Sequence, residues 1–123
     1  MNKGQKLWLK AEKIIPGGNG LLSKRPDRYL PKFWPTYFSR SKGINIWDLE
    51  NNKYLDMAQM GMGTCILGYA NKEIDQKVKK IVDKGINSTL NCPEEFELAQ
   101  KLLRYDKFAD QVKFAKGGGE AMS

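Results

Sequence analysis

Residues 112–123, VKFAKGGGEAMS, carry most of what this sequence indicates about fold and function. The run QVKFA at 111–115 predicts a brief strand, three glycines follow it, and the next residues resemble the start of a helix. This order recurs where proteins bind phosphate, because glycine lets the backbone approach an anion and the first N–H groups of a helix point at it. From these residues alone, a plain flexible turn is an equally good interpretation.

The first half of the chain predicts one helix, an irregular loop and a hairpin. The helix covers residues 4–15, with an apolar face of Leu7, Ala11, Ile14 and Ile15, and the sequence PGG ends it. Residues 19–35 are irregular, with Trp34, Tyr37 and Phe38 expected to pack against the rest of the chain. The runs INIWD and KYLDM on either side of LENN predict a β-hairpin, and the glycine-rich residues 61–70 predict a loop.

Two further helices are predicted between that loop and residue 111. The first is capped by Asn71 and is followed by Gly85, and the second has Pro93 in its first turn. Both are amphipathic. Their apolar faces are Ile74, Val78, Ile81 and Val82 in the first helix, and Phe96, Ala99, Leu102 and Leu103 in the second.

The composition of the 123 residues excludes several kinds of chemistry. The chain has no histidine, which excludes Ser-His-Asp and Cys-His catalysis and argues against a metal site. Its two cysteines, Cys65 and Cys92, fit free thiols in a reducing compartment. No signal peptide and no apolar run of about 18 residues are present, so we expect a cytoplasmic protein without a membrane span.

The net charge of +7, from 21 basic and 14 acidic residues, raises nucleic-acid binding as an alternative. In that interpretation the chain is a small basic module and the glycine run is only a turn. The lysines are scattered over the polar positions of a predicted helix, which is typical of a solvated face. Trp8, Trp34 and Trp47 lie in three different kinds of element, which favours packing over a stacking platform. We therefore expect no nucleic-acid partner.

Several motifs, in one order and spacing, resemble the N-terminal part of the class III pyridoxal-phosphate aminotransferases, close to their glutamate-1-semialdehyde aminomutase branch. They are IPGG at 15–18, Gly43 with Trp47 and Asp48, NKYLD at 52–56, ILGYA at 66–70, PEEFELA at 93–99 and FAKGGGEA at 114–121. The family usually has histidine at the place of Tyr69. The resemblance covers nearly the whole chain.

The resemblance implies an α/β fold, namely the beginning of a fold-type I transferase dependent on pyridoxal 5′-phosphate. Residues 1–63 would belong to the small domain, and residues 64–123 would start the large, mostly parallel-sheet domain. The implied parent is a cytoplasmic homodimer that transfers an amino group through an aldimine of the cofactor, to or from an amino-acid or amino-sugar-like substrate. The Schiff-base lysine would lie beyond Ser123, so no catalytic residue is assigned and the chain alone is expected to be inactive.

The resemblance also implies cofactor and substrate residues. Gly117, Gly118 and Gly119 match the phosphate-binding loop, but Gly117 replaces the usual serine and Gly119 the usual threonine. Phosphate contacts would therefore depend on backbone N–H groups. Met62 lies at or next to the place of a tryptophan beside the substrate, although methionine also simply fills gaps. Arg25, or its neighbour Lys24, is a candidate for a substrate carboxylate, with a solvated loop charge as the alternative.

Overall fold

The computed structural model describes residues 1–58 and 60–123. Its helices are α1 (Lys3–Ile14), α2 (Lys72–Asp83), α3 (Pro93–Tyr105) and α4 (Gly118–Met122), and its strands are β1 (Phe38–Lys42), β2 (Asn45–Asp48) and β3 (Lys53–Leu55). Two short 3₁₀ turns, Leu22–Lys24 and Pro26–Arg28, lie in the segment that was expected to be irregular. Among the described residues, no helix combines the length and apolarity that a membrane crossing requires.

The chain divides into two compact units, Met1–Lys80 and Ile81–Ser123. Unit 1 contains α1, the three strands and most of α2, and unit 2 contains α3 and α4. This division reflects packing within the chain itself. The expected assignment of residues 1–63 to a small domain and 64–123 to a large one therefore stays a prediction.

Helix α1 begins with a complete capping box. The Asn2 side chain accepts a hydrogen bond from the Gln5 backbone N–H at 2.8 Å, and the Gln5 side chain accepts one from the Asn2 N–H at 3.1 Å. Two of the N–H groups that a helix leaves unpaired at its start are satisfied in this way. The Gln5 amide also donates to the carbonyl of Lys32, so the helix start is attached to the following loop.

The buried face of α1 differs from the predicted one. Gly4, Gln5, Trp8 and Ala11 are buried, whereas Leu7 and Ile15 are exposed and Ile14 is 82% exposed. The aliphatic residues alone do not mark the buried face of this helix. Trp8 contributes the largest apolar surface, and Gly4 allows close approach, because a Cβ there would collide with the Pro35 carbonyl oxygen.

The chain leaves α1 through two glycines with left-handed backbone angles, φ +72° at Gly17 and +75° at Gly18. The Gly18 N–H donates to the Ile15 carbonyl at 2.8 Å. Gly18 lies directly on the Trp8 indole, where an added Cβ would be 2.5 Å from the nearest ring carbon. The PGG motif thus ends the helix, as predicted, and also packs against Trp8.

The three strands form an antiparallel sheet in the order β1-β2-β3. The predicted hairpin is confirmed as β2 and β3, in which Ile46 faces Tyr54. Strand β1, FSRSK, was not predicted, because its polar residues give no apolar alternation and its strand identity comes from pairing with β2. Arg40, Trp47 and Lys53 form a row across the sheet, and the Arg40 guanidinium lies 3.9 Å from the Trp47 ring centroid.

Asp48 organises the turn between β2 and β3 and is only 4% exposed. One carboxylate oxygen accepts from the backbone N–H groups of Glu50 (2.9 Å) and Asn52 (2.8 Å), and the other accepts from the Asn52 side chain (3.0 Å) and the Tyr54 hydroxyl (3.1 Å). Burial alone would raise the pKa of Asp48, but the hydrogen bonds from Asn52, Glu50 and Tyr54 outweigh burial and lower the pKa below its ordinary 3.8.

The caps predicted for the later helices are confirmed. The Asn71 side chain accepts from the N–H groups of Glu73 (3.1 Å) and Ile74 (3.2 Å), Gly85 has φ +90°, and Pro93 is the first residue of α3. The apolar faces are largely exposed within the described chain. Ile74, Val78, Val82, Phe96 and Leu102 are each more than 40% exposed.

The predicted strand at 111–115 is wrong for the described chain, where these residues form no ladder. A strand exists only when a neighbouring strand accepts and donates its hydrogen bonds. The apolar run shows β propensity, but no described strand pairs with it.

Candidate functional site

The glycine run forms the beginning of α4, with Gly117 as its N-cap at φ −140° and ψ 156°. None of Gly117, Gly118 and Gly119 has a positive φ, so their backbone angles are open to any residue. A Cβ added at any of the three would meet no atom within 4 Å. Neither backbone strain nor packing within the described chain therefore explains why glycine occupies these positions.

The backbone N–H groups of Gly118, Gly119 and Glu120 form no hydrogen bond within the described residues. A helix leaves its first N–H groups without intrahelical partners, and these groups attract anions. Here they border open space, with Lys116 immediately before the run. These groups fit a phosphate that is bound by backbone N–H donors alone.

The Glu120 carboxylate already occupies part of this helix start. It accepts a hydrogen bond from the Lys116 backbone N–H at 3.0 Å. A carboxylate in the first turn stabilises a helix and here fixes the residue that precedes the glycines. Glu120 therefore shapes the loop, as expected of a first-turn carboxylate.

Arg25, predicted as a substrate ligand, is engaged within unit 1. Its guanidinium donates to both carboxylate oxygens of Asp27, each at 3.1 Å, and its side chain is 36% exposed. A substrate carboxylate would have to compete with Asp27 for this fork. Arg25 is thus an oriented side chain that is already paired.

Met62, the second predicted substrate residue, lies in the glycine-rich segment 60–68. Its backbone is left-handed, with φ +61°, and its side chain is 55% exposed. Met60, Gly61, Gly63 and Gly68 in this segment also have positive φ. The exposed side chain fills no gap among the described residues, and the substrate role of Met62 stays a prediction.

Tyr69 connects the end of this segment to the sheet and was not predicted to do so. Its hydroxyl donates to an Asp56 carboxylate oxygen at 2.5 Å, and its backbone exchanges two hydrogen bonds with Gly43, at 2.8 and 2.9 Å. Burial and the bond to Asp56 raise the pKa of Tyr69 to about 12, so the hydroxyl stays a neutral donor. The one sequence feature that pointed to this residue was that the family usually has histidine at the place of Tyr69.

The three predicted glycines thus lie together at one helix start. Arg25 and Met62 belong to the other unit.

No protein-family model matches the chain. It is similar to the glutamate-1-semialdehyde 2,1-aminomutase of Wigglesworthia glossinidia brevipalpis, with 35% identity over 116 residues that make up 94% of this chain and 26% of that protein. The aminomutase of Aquifex aeolicus is 30% identical over 97% of this chain and 27% of its own length. The chain therefore spans about a quarter of the length of the curated relatives it matches.

Solved structures give the same result. The internal aldimine form of the FumI protein of Sphingopyxis sp. MTA144, which contains pyridoxal phosphate, matches with a TM-score of 0.84 and 29% identity over 97% of this chain and 28% of that one. An omega-transaminase from Sphaerobacter thermophilus matches with a TM-score of 0.83 and 26% identity over 98% of this chain and 26% of that one.

These comparisons define the class: the chain has the fold of part of a pyridoxal-phosphate-dependent transaminase, and the predicted fold class is confirmed. In sequence its relatives are the glutamate-1-semialdehyde 2,1-aminomutases, so the resemblance seen in the motifs is confirmed as well.

Proposed function

We propose that this chain is part of a pyridoxal-phosphate-dependent aminotransferase or aminomutase, and that Gly117, Gly118 and Gly119 bind the cofactor phosphate. The observation that carries the proposal is the group of unbonded N–H donors at the start of α4, which border open space although nothing in the fold requires glycine there. The relatives named above support it, since they are aminomutases and transaminases.

In this proposal, pyridoxal phosphate supplies the electron sink for amino-group chemistry. The chain's own contribution is binding and orientation. The N–H groups at the start of α4 hold an anionic group, and the helix dipole favours negative charge at that end. Glu120 keeps Lys116 and the glycines in place through its bond to the Lys116 N–H.

The substrate is proposed to be a small amino compound, amino-acid or amino-sugar-like. For an amino-acid-like substrate, Arg25 would bind the substrate carboxylate in place of Asp27, because a guanidinium binds carboxylates with the same two-pronged geometry. Met62 is proposed to contact the substrate, for which its exposed side chain is available.

We further propose that the whole protein is a cytoplasmic homodimer without a nucleic-acid or membrane partner. The division into a small-domain segment up to residue 63 and a cofactor domain from residue 64 belongs to the same proposal. The two aminomutases and the omega-transaminase reported above are enzymes by name, and neither they nor the FumI protein are described as nucleic-acid-binding proteins. They do not favour the alternative of a basic nucleic-acid-binding module.

Replacing Gly118 with valine tests the phosphate site in the full-length protein. The valine side chain would fill the open space over the N–H groups, so we expect the dissociation constant for pyridoxal phosphate to rise about 10-fold or more. The fold should tolerate valine, because Gly118 has an ordinary φ and no atom near a Cβ. The measurements are an absorbance titration with the cofactor and the denaturation midpoint of the cofactor-free protein.

Gly20→Val is the matched control, since Gly20 also has an ordinary φ and open space around a Cβ but lies outside the proposed site. It should leave the cofactor affinity unchanged. Equal cofactor affinities in the wild type and both variants would refute the phosphate site.

A further inference from the structure

We propose that Tyr69, through its hydrogen bond to Asp56, is a positioning residue that holds segment 60–68 and its Met62 side chain in place for the amino substrate. This inference rests on the proposed function and assigns a role to a residue pair that the site itself does not include.

The segment is not held by apolar packing. Met62, Ile66 and Leu67 are 55%, 80% and 69% exposed, so their side chains contribute little to fixing it. Its internal bonds are turn contacts, such as the Cys65 N–H to the Met60 carbonyl (3.2 Å) and the Gly68 N–H to the Cys65 carbonyl (2.8 Å). Contacts of this kind define the local shape of a loop but not its place on the protein.

The place is defined where the segment returns to the sheet. Gly43 and Tyr69 exchange two backbone hydrogen bonds. A Cβ at Gly68 would lie 3.3 Å from the Gly43 Cα, so the backbones of these two segments are close together. The Tyr69 hydroxyl then bonds to Asp56, which directly follows β3.

Asp56 is itself fixed, so it can serve as an anchor. Its backbone N–H donates to the Ile44 carbonyl at 2.8 Å, and its other carboxylate oxygen accepts from the Ala58 N–H at 2.9 Å. Among the described residues, the hydrogen bond from the Tyr69 hydroxyl to Asp56 is thus the only side-chain contact of this kind that joins the end of segment 60–68 to the end of the sheet. With a raised pKa, the hydroxyl keeps its proton across the physiological range.

Tyr69→Phe removes the hydroxyl and keeps the ring. In the full-length, cofactor-loaded protein we expect hydrogen exchange at the backbone amides of Cys65, Gly68 and Tyr69 to become about 10-fold faster. With glutamate-1-semialdehyde as the probe substrate, KM should rise about 5-fold or more, while kcat changes less than about 2-fold. The affinity for pyridoxal phosphate should stay the same.

Tyr54→Phe is the matched control, because it also removes a tyrosine hydroxyl that donates to an aspartate. That aspartate is Asp48, which is buried, whereas Asp56 is half-buried. The control should affect the β2–β3 turn but neither the exchange of those three amides nor KM. In an Asp56→Ala background, Tyr69→Phe should have almost no further effect on exchange or KM, since both changes remove one contact.

The proposal is overturned if Tyr69→Phe leaves exchange in the segment unchanged, or if exchange rises while KM does not. An effect on overall stability alone, equal to that of Tyr54→Phe, also overturns it. Failure of the proposed function looks different: the wild type itself would then fail to bind pyridoxal phosphate or to turn over an amino substrate, and the inference would fall with it.

Discussion

Replacing Gly18 with alanine is expected to lower the free energy of unfolding by about 3 kcal/mol. Two separate costs combine at this position. The backbone has φ +75°, which a residue with a Cβ adopts only with strain, and the new methyl group would lie 2.5 to 2.9 Å from three carbons of the Trp8 ring. Trp8 is 8% exposed and, with Ala11, belongs to the small buried apolar core, so moving away from the new methyl group would disturb its packing.

Gly17→Ala separates the two costs. Gly17 has nearly the same φ, +72°, but the closest atom to its added Cβ is 3.8 Å away. This variant should therefore lose only about 1 kcal/mol of unfolding free energy, the part that comes from backbone strain. Urea unfolding followed by circular dichroism measures both variants in the full-length protein. Equal losses at the two positions would show that Trp8 does not press on Gly18.

Replacing Asp48 with asparagine is expected to cost about 2 kcal/mol at neutral pH. An asparagine side chain can keep one acceptor, but its NH₂ group would then face the NH₂ group of Asn52, which now donates to Asp48 at 3.0 Å. Asp48 itself is only 4% exposed, so little water can reach its side chain to replace the lost bond. The measurement is again the free energy of unfolding.

The difference in unfolding free energy between the wild type and Asp48→Asn should also depend on pH, in a definite direction. The folded pKa of Asp48 lies below its ordinary value of 3.8, so the ionised carboxylate stabilises the fold at any pH well above that value. This contribution is lost as the pH falls through the folded pKa. The stability difference between wild type and Asp48→Asn should thus be constant above about pH 5 and shrink below about pH 4. A difference that grows as the pH falls would contradict the lowered pKa.

Local signals predicted the element ends well. Asn71, Gly85 and Pro93 are correct because a cap or a helix-initiating proline depends on chemistry within a few residues. The features that were predicted wrongly or missed depend on contacts between residues distant in sequence. The buried face of α1 is decided by Trp8 against Gly18, and β1 exists because β2 lies beside it.

The candidate site shows the same limit. The glycine run was visible in the sequence, and the structure adds that its N–H groups are unbonded and bordered by open space. The pairing of Arg25 with Asp27 could have been suspected from their spacing. The bond between Tyr69 and Asp56 could not, because two residues 13 positions apart meet only through the course of the loop between them.

The sheet consists of strands that follow one another in the chain, β1 beside β2 and β2 beside β3. Closing such short connections costs little chain entropy, and every described pairing of these strands lies between residues 38 and 55. During synthesis on the ribosome, these strands can therefore pair soon after they emerge, while α2 and α3 have not yet been made. Gly43, between β1 and β2, would then already be in place when Tyr69 is made and forms its two backbone hydrogen bonds with Gly43.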